Sequence, residues 1–293
     1  MEAIRLVIAA IDFSRGSESA IERAVVLARA HGARLELLHA FDAGAWHALK
    51  AVFDARRLSG EAPADVLLRE RLSALAAALA SRTGLEVAAH DGIGEPAHAI
   101  ASRVASTDAD LVVIARRSDP ATPGVGSTLM HVLQRAPCPV LVVRHPAERS
   151  YAHVLAAVDL RDVSWRAATL AIEWFPSAQH CLLSAIDPDW ERELTHSRAA
   201  HGPVHADAVP LHVQAERQLQ RLAHDLCLRP GCQVRSEVVD ASPVRAIVDR
   251  AASWPADCVA VGHHGQGGLA HRLLGSTALD VLHHTACDVL VVP

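Results

Sequence analysis

Lysine is almost missing from this chain. Lys50 is the only one among 28 basic residues, and the second half has none. A phosphate loop of the Gly-Lys-Ser/Thr type, whose ammonium holds terminal phosphates, is thereby excluded there. Aromatic residues are scarce too, at 3%, so the core has to be built from Ala, Val, Leu and Ile. The six cysteines (Cys138, Cys181, Cys227, Cys232, Cys258, Cys287) contain no Cys-x-x-Cys pair. Several sit inside strand-like runs, where a thiol behaves as a small hydrophobe, and that usage fits a reducing, cytoplasmic setting. No apolar run approaches the ~18 residues of a membrane span. The opening run Ile4 to Ile11 is broken by Arg5 and stopped by Asp12, which suits a first strand and not an export segment. A net charge of -5 offers no basic face to a nucleic acid. Neither a nucleic acid nor a membrane is an expected partner.

What the chain does have is apolar material, 51% of its 293 residues, arranged as one unit written twice. Leu6 to Asp12 reads as a buried strand ending in a carboxylate. A helix opens after Ser14 and stops at Gly32, and Leu35 to Ala40 gives a second strand. Phe41 to Pro63 is irregular, followed by a helix over Ala64 to Ser81 and a third strand over Leu85 to His90. Pro96 starts a helix, Asp110 to Ala115 is a fourth strand, and Arg116 to Val125 is a loop. Gly126-Ser127-Thr128 opens the next helix, and Cys138 to Val143 is a fifth strand. Asp12, Pro96 and Asp110 recur as Asp159, Pro243 and Asp257, each 147 positions on. Leu129 to Val143 recurs as Ala278 to Val292, now 149 positions on, so the first glycine loop is two residues shorter. The boundary falls near His145 to Arg149, giving domains 1–147 and 148–293. Strands apolar on both faces, alternating with helices, predict an α/β fold with a parallel sheet covered on both sides. Right-handed crossovers predict the strand order 3-2-1-4-5 in each domain.

In such a sheet, ligands bind at the strand carboxyl ends beside the point where the chain changes direction, here between strands one and four. Asp159 and the loop from Gly262 to Thr277 are therefore expected to face one crevice. Taken singly, a glycine loop is ordinary turn chemistry and an aspartate after a strand is more often a helix cap. Their convergence is what suggests a ligand. Ser276 and Thr277 start a helix, whose first amides attract anions. The dinucleotide fingerprint Gly-x-Gly-x-x-Gly is absent after strand one. Arg272 is the nearest loop cation, with solvation its default role. His196, His201, His205, His283 and His284 show no repeated metal-ligand spacing, and no metal site is expected.

Gly262-x2-Gly265-x9-Gly275-Ser276, with Val-Gly-His-His-Gly before it and Cys-Asp-Val-Leu-Val-Val after it, resembles the nucleotide-binding branch of the universal stress protein family. Both halves carry the likeness, as in tandem, two-domain members. The resemblance implies two Rossmann-like domains of the adenine nucleotide alpha hydrolase-like type. It implies ATP or a related adenine nucleotide, with or without Mg2+, bound in the second domain. Asp159 would meet the nucleoside end and Ala185 would line the adenine pocket. The backbone of Val261, Gly262 and Gly265 would follow ribose and phosphates, with His264 a frequent histidine of that loop. Gly275, Ser276 and Thr277 would hold the phosphates. The implied role is stress-response regulation without fast turnover and without catalytic residues. Slow ATP hydrolysis or self-phosphorylation at Ser276 or Thr277 is one alternative. A scaffold binding another ligand under the inserts Phe41 to Pro63 and Asp187 to Pro210 is a second.

The first domain departs from the motif. Ala115 and Ser118 stand where its two loop glycines belong, beside Arg116 and Arg117, while Asp12, Gly126 and Ser127 remain. Weak or no nucleotide binding is expected there. The fifth strands, Val140 to Val143 and Val289 to Val292, resemble the family's dimerisation strand. They are expected to need a partner, either each other in a dimer-like monomer or a second chain.

Overall fold

A computed structural model describes residues 3–41, 64–116, 125–147, 149–159, 161–188, 211–227, 232–263 and 274–293. Both proposed lids, apart from their first residues, lie outside this set. The chain divides into two compact units, Ala3–Arg149 and Ser150–Pro293.

In the first unit the strands are β1 (Leu6–Ile11), β2 (Arg34–Phe41), β3 (Val87–Ile93), β4 (Leu111–Ala115) and β5 (Val140–Val143). The helices are α1 (Arg15–His31), α2 (Ala64–Thr83), α3 (Pro96–Thr107) and α4 (Ser127–Arg135). All pairings are parallel: β1 lies between β2 and β4, β3 flanks β2, and β5 flanks β4. The order is thus 3-2-1-4-5. Two crossovers run one way from β1 and two the other way, so right-handed connections put α1 and α2 on one face and α3 and α4 on the other. Helices α3 and α4 pack together accordingly. Every residue of β1 and β5 is buried, as is all of β4 but its last. A continuous apolar run fits a strand covered on both faces.

Helix α1 begins at Ser14, which accepts the Ser17 amide, and ends at Gly32, whose φ of 62° is the left-handed cap a Cβ would resist. Strand β3 runs later than Leu85 to His90. Gly92 lies inside it opposite Ala40. A Cβ there would sit 3.0 Å from Cβ of Ala99, so glycine lets α3 lie close against the strand.

The second unit repeats the plan. Its strands are β6 (His153–Ala157), β7 (Gln179–Ile186), β8 (Gln233–Asp240), β9 (Cys258–Gly262) and β10 (Asp288–Val292). Its helices are α5 (Asp162–Trp174), α6 (Leu211–Leu226), α7 (Pro243–Ser253) and α8 (Ser276–His284). β6 lies between β7 and β9, with β8 and β10 outside them, all parallel.

Two repeated aspartates hold the amino end of each sheet. Asp110 Oδ2 accepts the amides of Arg5 (2.7 Å) and Leu6 (3.0 Å). Asp257 Oδ2 accepts those of Ala152 (2.6 Å) and His153 (2.9 Å). Each acid satisfies amides that open the central strand, at the end of the sheet away from the crevice. Their role is structural.

Candidate functional site

The sheet register gathers the site residues of the second unit. Ala156 pairs with Ala260, and Ala157 with Leu183. Counting on from those pairs puts Asp159, Ala185 and Gly262 together at the carboxyl edge of β6, β7 and β9. Val261 is buried with its backbone in the β9–β10 ladder, and Gly262 pairs with Val292. His263 follows, buried, its amide donating to the Val292 carbonyl (2.6 Å) and its own carbonyl accepting the Gly275 amide (2.8 Å). This last bond ties the start of α8 to the end of β9. The loop between them holds His264, Gly265 and Arg272, which lie outside the described residues.

Gly275 is the N-cap of α8, with Ser276 and Thr277 in its first turn and no side-chain cap hydrogen bond. The first amides of a helix have no partner within it, so this turn presents donors and the positive end of the helix dipole. No acidic residue lies in that turn to oppose an anion. Gly126, Ser127 and α4 repeat the arrangement in the first unit, again without a side-chain cap.

Asp159 is held by its own turn. Its amide donates to Ser164 Oγ (3.2 Å), and its Oδ1 accepts the Arg161 amide (3.3 Å). Arg161 Nε lies 3.9 Å from Oδ2. Asp12 does the same more tightly: Oδ1 accepts Ser17 Oγ (2.6 Å) and the Ser14 amide (3.0 Å), while the Asp12 amide donates to Ser17 Oγ (2.9 Å). One carboxylate oxygen in each copy is therefore spent on the strand-to-helix turn. Ser17 and Ser164 were missed by sequence reasoning. Their signal was available, since each stands five residues after its aspartate in both repeats.

The crevices of the two units differ at their mouths. Ala115 ends β4 beside Val143 in the first, and Ser118 lies outside the described residues. Phe13, directly after Asp12, takes a left-handed φ of 58°. Its ring lies 4.8 Å from that of His39, with the Arg71 guanidinium 4.5 Å from its centroid. His39 Nδ1 sits 2.7 Å from the Ile11 carbonyl, so the imidazole is fixed against β1. A β-region residue forced into αL costs energy that these contacts offset. In the second unit the register puts buried Ser184 where His39 stands, and Leu160, the counterpart of Phe13, lies outside the described residues. Among the described residues no group of three or more His, Cys, Asp or Glu could hold a metal ion.

The model of the Universal stress protein family matches residues 3–144 and again 150–293. The chain belongs to the universal stress protein family. Universal stress protein A homolog 1 of Coxiella burnetii is 30% identical over 148 residues, 48% of this chain and 96% of the relative. One repeat here thus corresponds to a whole protein there. Universal stress protein Slr1101 of Synechocystis is 41% identical over 78 residues, 27% of this chain and 67% of the relative. Rv2005c of Mycobacterium tuberculosis is 30% identical over 201 residues, 64% of this chain and 62% of the relative, less than two thirds of its length. Among solved structures, the functionally unknown PA1789 of Pseudomonas aeruginosa matches with a TM-score of 0.69 at 18% identity, covering 99% of this chain and 92% of that one. A universal stress protein from Archaeoglobus fulgidus matches with a TM-score of 0.64 at 15% identity, covering 98% and 96%. At such identities the structural likeness establishes the fold of this universal stress protein and no more.

Proposed function

We propose that the second domain binds ATP or a related adenine nucleotide, with its phosphates on the first turn of α8. The protein then works as a cytoplasmic stress-response regulator and not as a fast enzyme. The observation that carries this reading is the state of Gly275. Its φ of -59° and ψ of 145° suit any residue, and Asp, Asn or Ser would cap α8 better. Its counterpart Gly126 is alike in backbone, and a Cβ there would meet no atom of the described residues within 4 Å. Neither conformation nor packing asks for glycine at Gly126. At Gly275 the same conformation leaves the first-turn amides of α8 without a side-chain cap, open to an anion.

The residues fit a polyphosphate tail. The amides of Ser276 and Thr277 and the hydroxyls beside them are donors, and the tie from Gly275 to His263 sets the helix start beside the strand ends. Asp159, whose Oδ2 lies 3.9 Å from Arg161 Nε, is assigned to the nucleoside end. Ala185, half-buried near the end of β7, is small enough to leave space for a flat base beside it. Mg2+ would be carried in by the phosphates.

The first domain has the same helix start but a shorter loop, and the Phe13–His39–Arg71 cluster stands beside its crevice. We assign it little or no nucleotide affinity. The test is calorimetric titration of the full chain with Mg-ATP. One site per chain is expected, and a chain that takes up no adenine nucleotide refutes the reading.

A further inference from the structure

All six cysteines are thiols, and their surroundings divide them. Cys181 and Cys258 are wholly buried. Burial pushes the thiols of Cys138 and Cys287 up to about 12, so neither supplies thiolate near neutral pH. Cys227 and Cys232 are half-buried and in contact with each other. Cys227 follows the last turn of α6, its amide donating to the carbonyls of Ala223 (3.0 Å) and His224 (3.2 Å). Its thiol donates to the carbonyl of Cys232 at 3.0 Å, and Cys232 directly precedes β8. Bond lengths then put the Cys227 sulfur within about 5.5 Å of the Cys232 Cα. Adding the ~2.8 Å from that sulfur to its own Cα caps the Cα–Cα separation at about 8 Å, against the about 4.4–6.8 Å that a disulfide spans. Closing the bond therefore takes rotation of both side chains and, towards the upper end of that range, backbone movement.

We propose that Cys227 and Cys232 form a reversible dithiol–disulfide pair that staples the end of α6 to the start of β8. The oxidant is a small-molecule disulfide of the glutathione class. One thiolate attacks a sulfur of that disulfide, forming a mixed disulfide and releasing the first small thiolate, which takes up the proton the cysteine lost. The second cysteine, deprotonated, attacks the protein-side sulfur of the mixed disulfide and releases the second small thiol. Two protein thiols are oxidised and one small disulfide is reduced to two thiols. The step needs no nucleotide, so it stands or falls apart from the reading above.

The full chain is incubated with oxidised glutathione, alkylated without reductant, digested and mapped by mass spectrometry. The expected product is an intrachain Cys227–Cys232 link, lighter by two hydrogens than the dithiol peptide and lost on reduction. Cys232→Ser should halt the reaction half-way, leaving glutathione on Cys227. Oxidised wild type should also melt about 4 °C or more above the reduced form, while the double variant C227S/C232S shows no such rise. Alkylation of both cysteines in the oxidised protein, separate glutathione adducts on each, or a link from either to another cysteine would overturn the pair. A linked chain that melts no higher than the reduced one would overturn the staple.

Discussion

Gly262 lies so close to α5 that a Cβ on it would sit 3.0 Å from Cγ1 of Val163 and 3.3 Å from the Ser164 amide. In the first unit the small residue is on the other side of the contact. Gly16 occupies the helix position, and a Cβ built on it would stand 3.4 Å from that of Ala115. The two copies solve one packing problem with the glycine exchanged between strand and helix. Gly262 is therefore explained by the approach of α5, and Ala115 is not by itself a defect of the first domain.

That exchange predicts a compensating pair. Gly262→Ala should destabilise the second unit by about 1–3 kcal/mol, because the new methyl group meets Cγ1 of Val163 at 3.0 Å. Val163→Gly alone should also destabilise, by up to about 1 kcal/mol, since it places glycine in the first turn of α5 and removes a half-buried side chain. The double variant reproduces the first unit's arrangement and should cost less than the sum of the two. Chemical denaturation of the four proteins gives the coupling. Strict additivity would mean the Val163 contact does not set the cost at Gly262.

Gly275→Asp separates binding from stability. An aspartate at the N-cap is as good a cap as glycine or better by a few tenths of a kcal/mol, so the fold should keep its melting temperature or gain slightly. A carboxylate placed beside the first-turn amides takes up the donors and repels phosphate. Affinity for ATP, read by calorimetry, should fall by at least 100-fold, on the order of 3 kcal/mol. Undiminished affinity in a well-folded variant would move the phosphates elsewhere, and with them the whole assignment of the site.

Much of the architecture was legible in the chain. Val7 to Ala10 and Val112 to Ile114 are buried on both faces, as their unbroken apolar runs require, and the handedness of crossovers dictates the strand order. The extension of β3 past His90 through Gly92 was not legible, because the reason for that glycine, the approach of Ala99, is visible only once α3 is in place. The exchange between Gly16 and Gly262 is likewise a fact about two elements at once. So is the tilted contact between Phe13 and His39, which stand at the carboxyl ends of two strands with a helix between them in the chain. The helix start at Gly275 was readable because caps are local. How Asp159 spends its Oδ1 on its own turn was not.

Ser276 and Thr277 should bind phosphate without accepting it. A hydroxyl becomes a nucleophile when a base stands within hydrogen-bond reach. Asp159, the acid assigned to this crevice, is tied to the Arg161 amide through Oδ1. Incubation with ATP labelled at its terminal phosphate should leave the protein unlabelled and release no phosphate above the buffer rate. A label lost in Ser276→Ala but kept in Thr277→Val would assign the acceptor and replace the regulator reading with an enzyme.

Acid should unfold the second unit first, through His180. This imidazole is buried in β7, and desolvation pulls its pKa down to about 4 against the help of its bond to the Phe175 carbonyl, 3.1 Å from Nε2. Nδ1 is buried without a hydrogen-bond partner. The unfolded chain protonates near pH 6.5 and the native one only near 4. The stability tied to the neutral ring is therefore complete above about pH 6.5 and is lost as pH falls towards 4, by about 3 kcal/mol in all. The duplication supplies the control, because Leu35 pairs with Val7 in the register where His180 pairs with Val154. His180→Leu should match or exceed wild-type stability at pH 7 and lose roughly 3 kcal/mol less between pH 7 and pH 4. Urea titrations of the two proteins at pH 7, 5.5 and 4.5 measure the difference, and parallel losses in both would remove His180 as the acid-labile group.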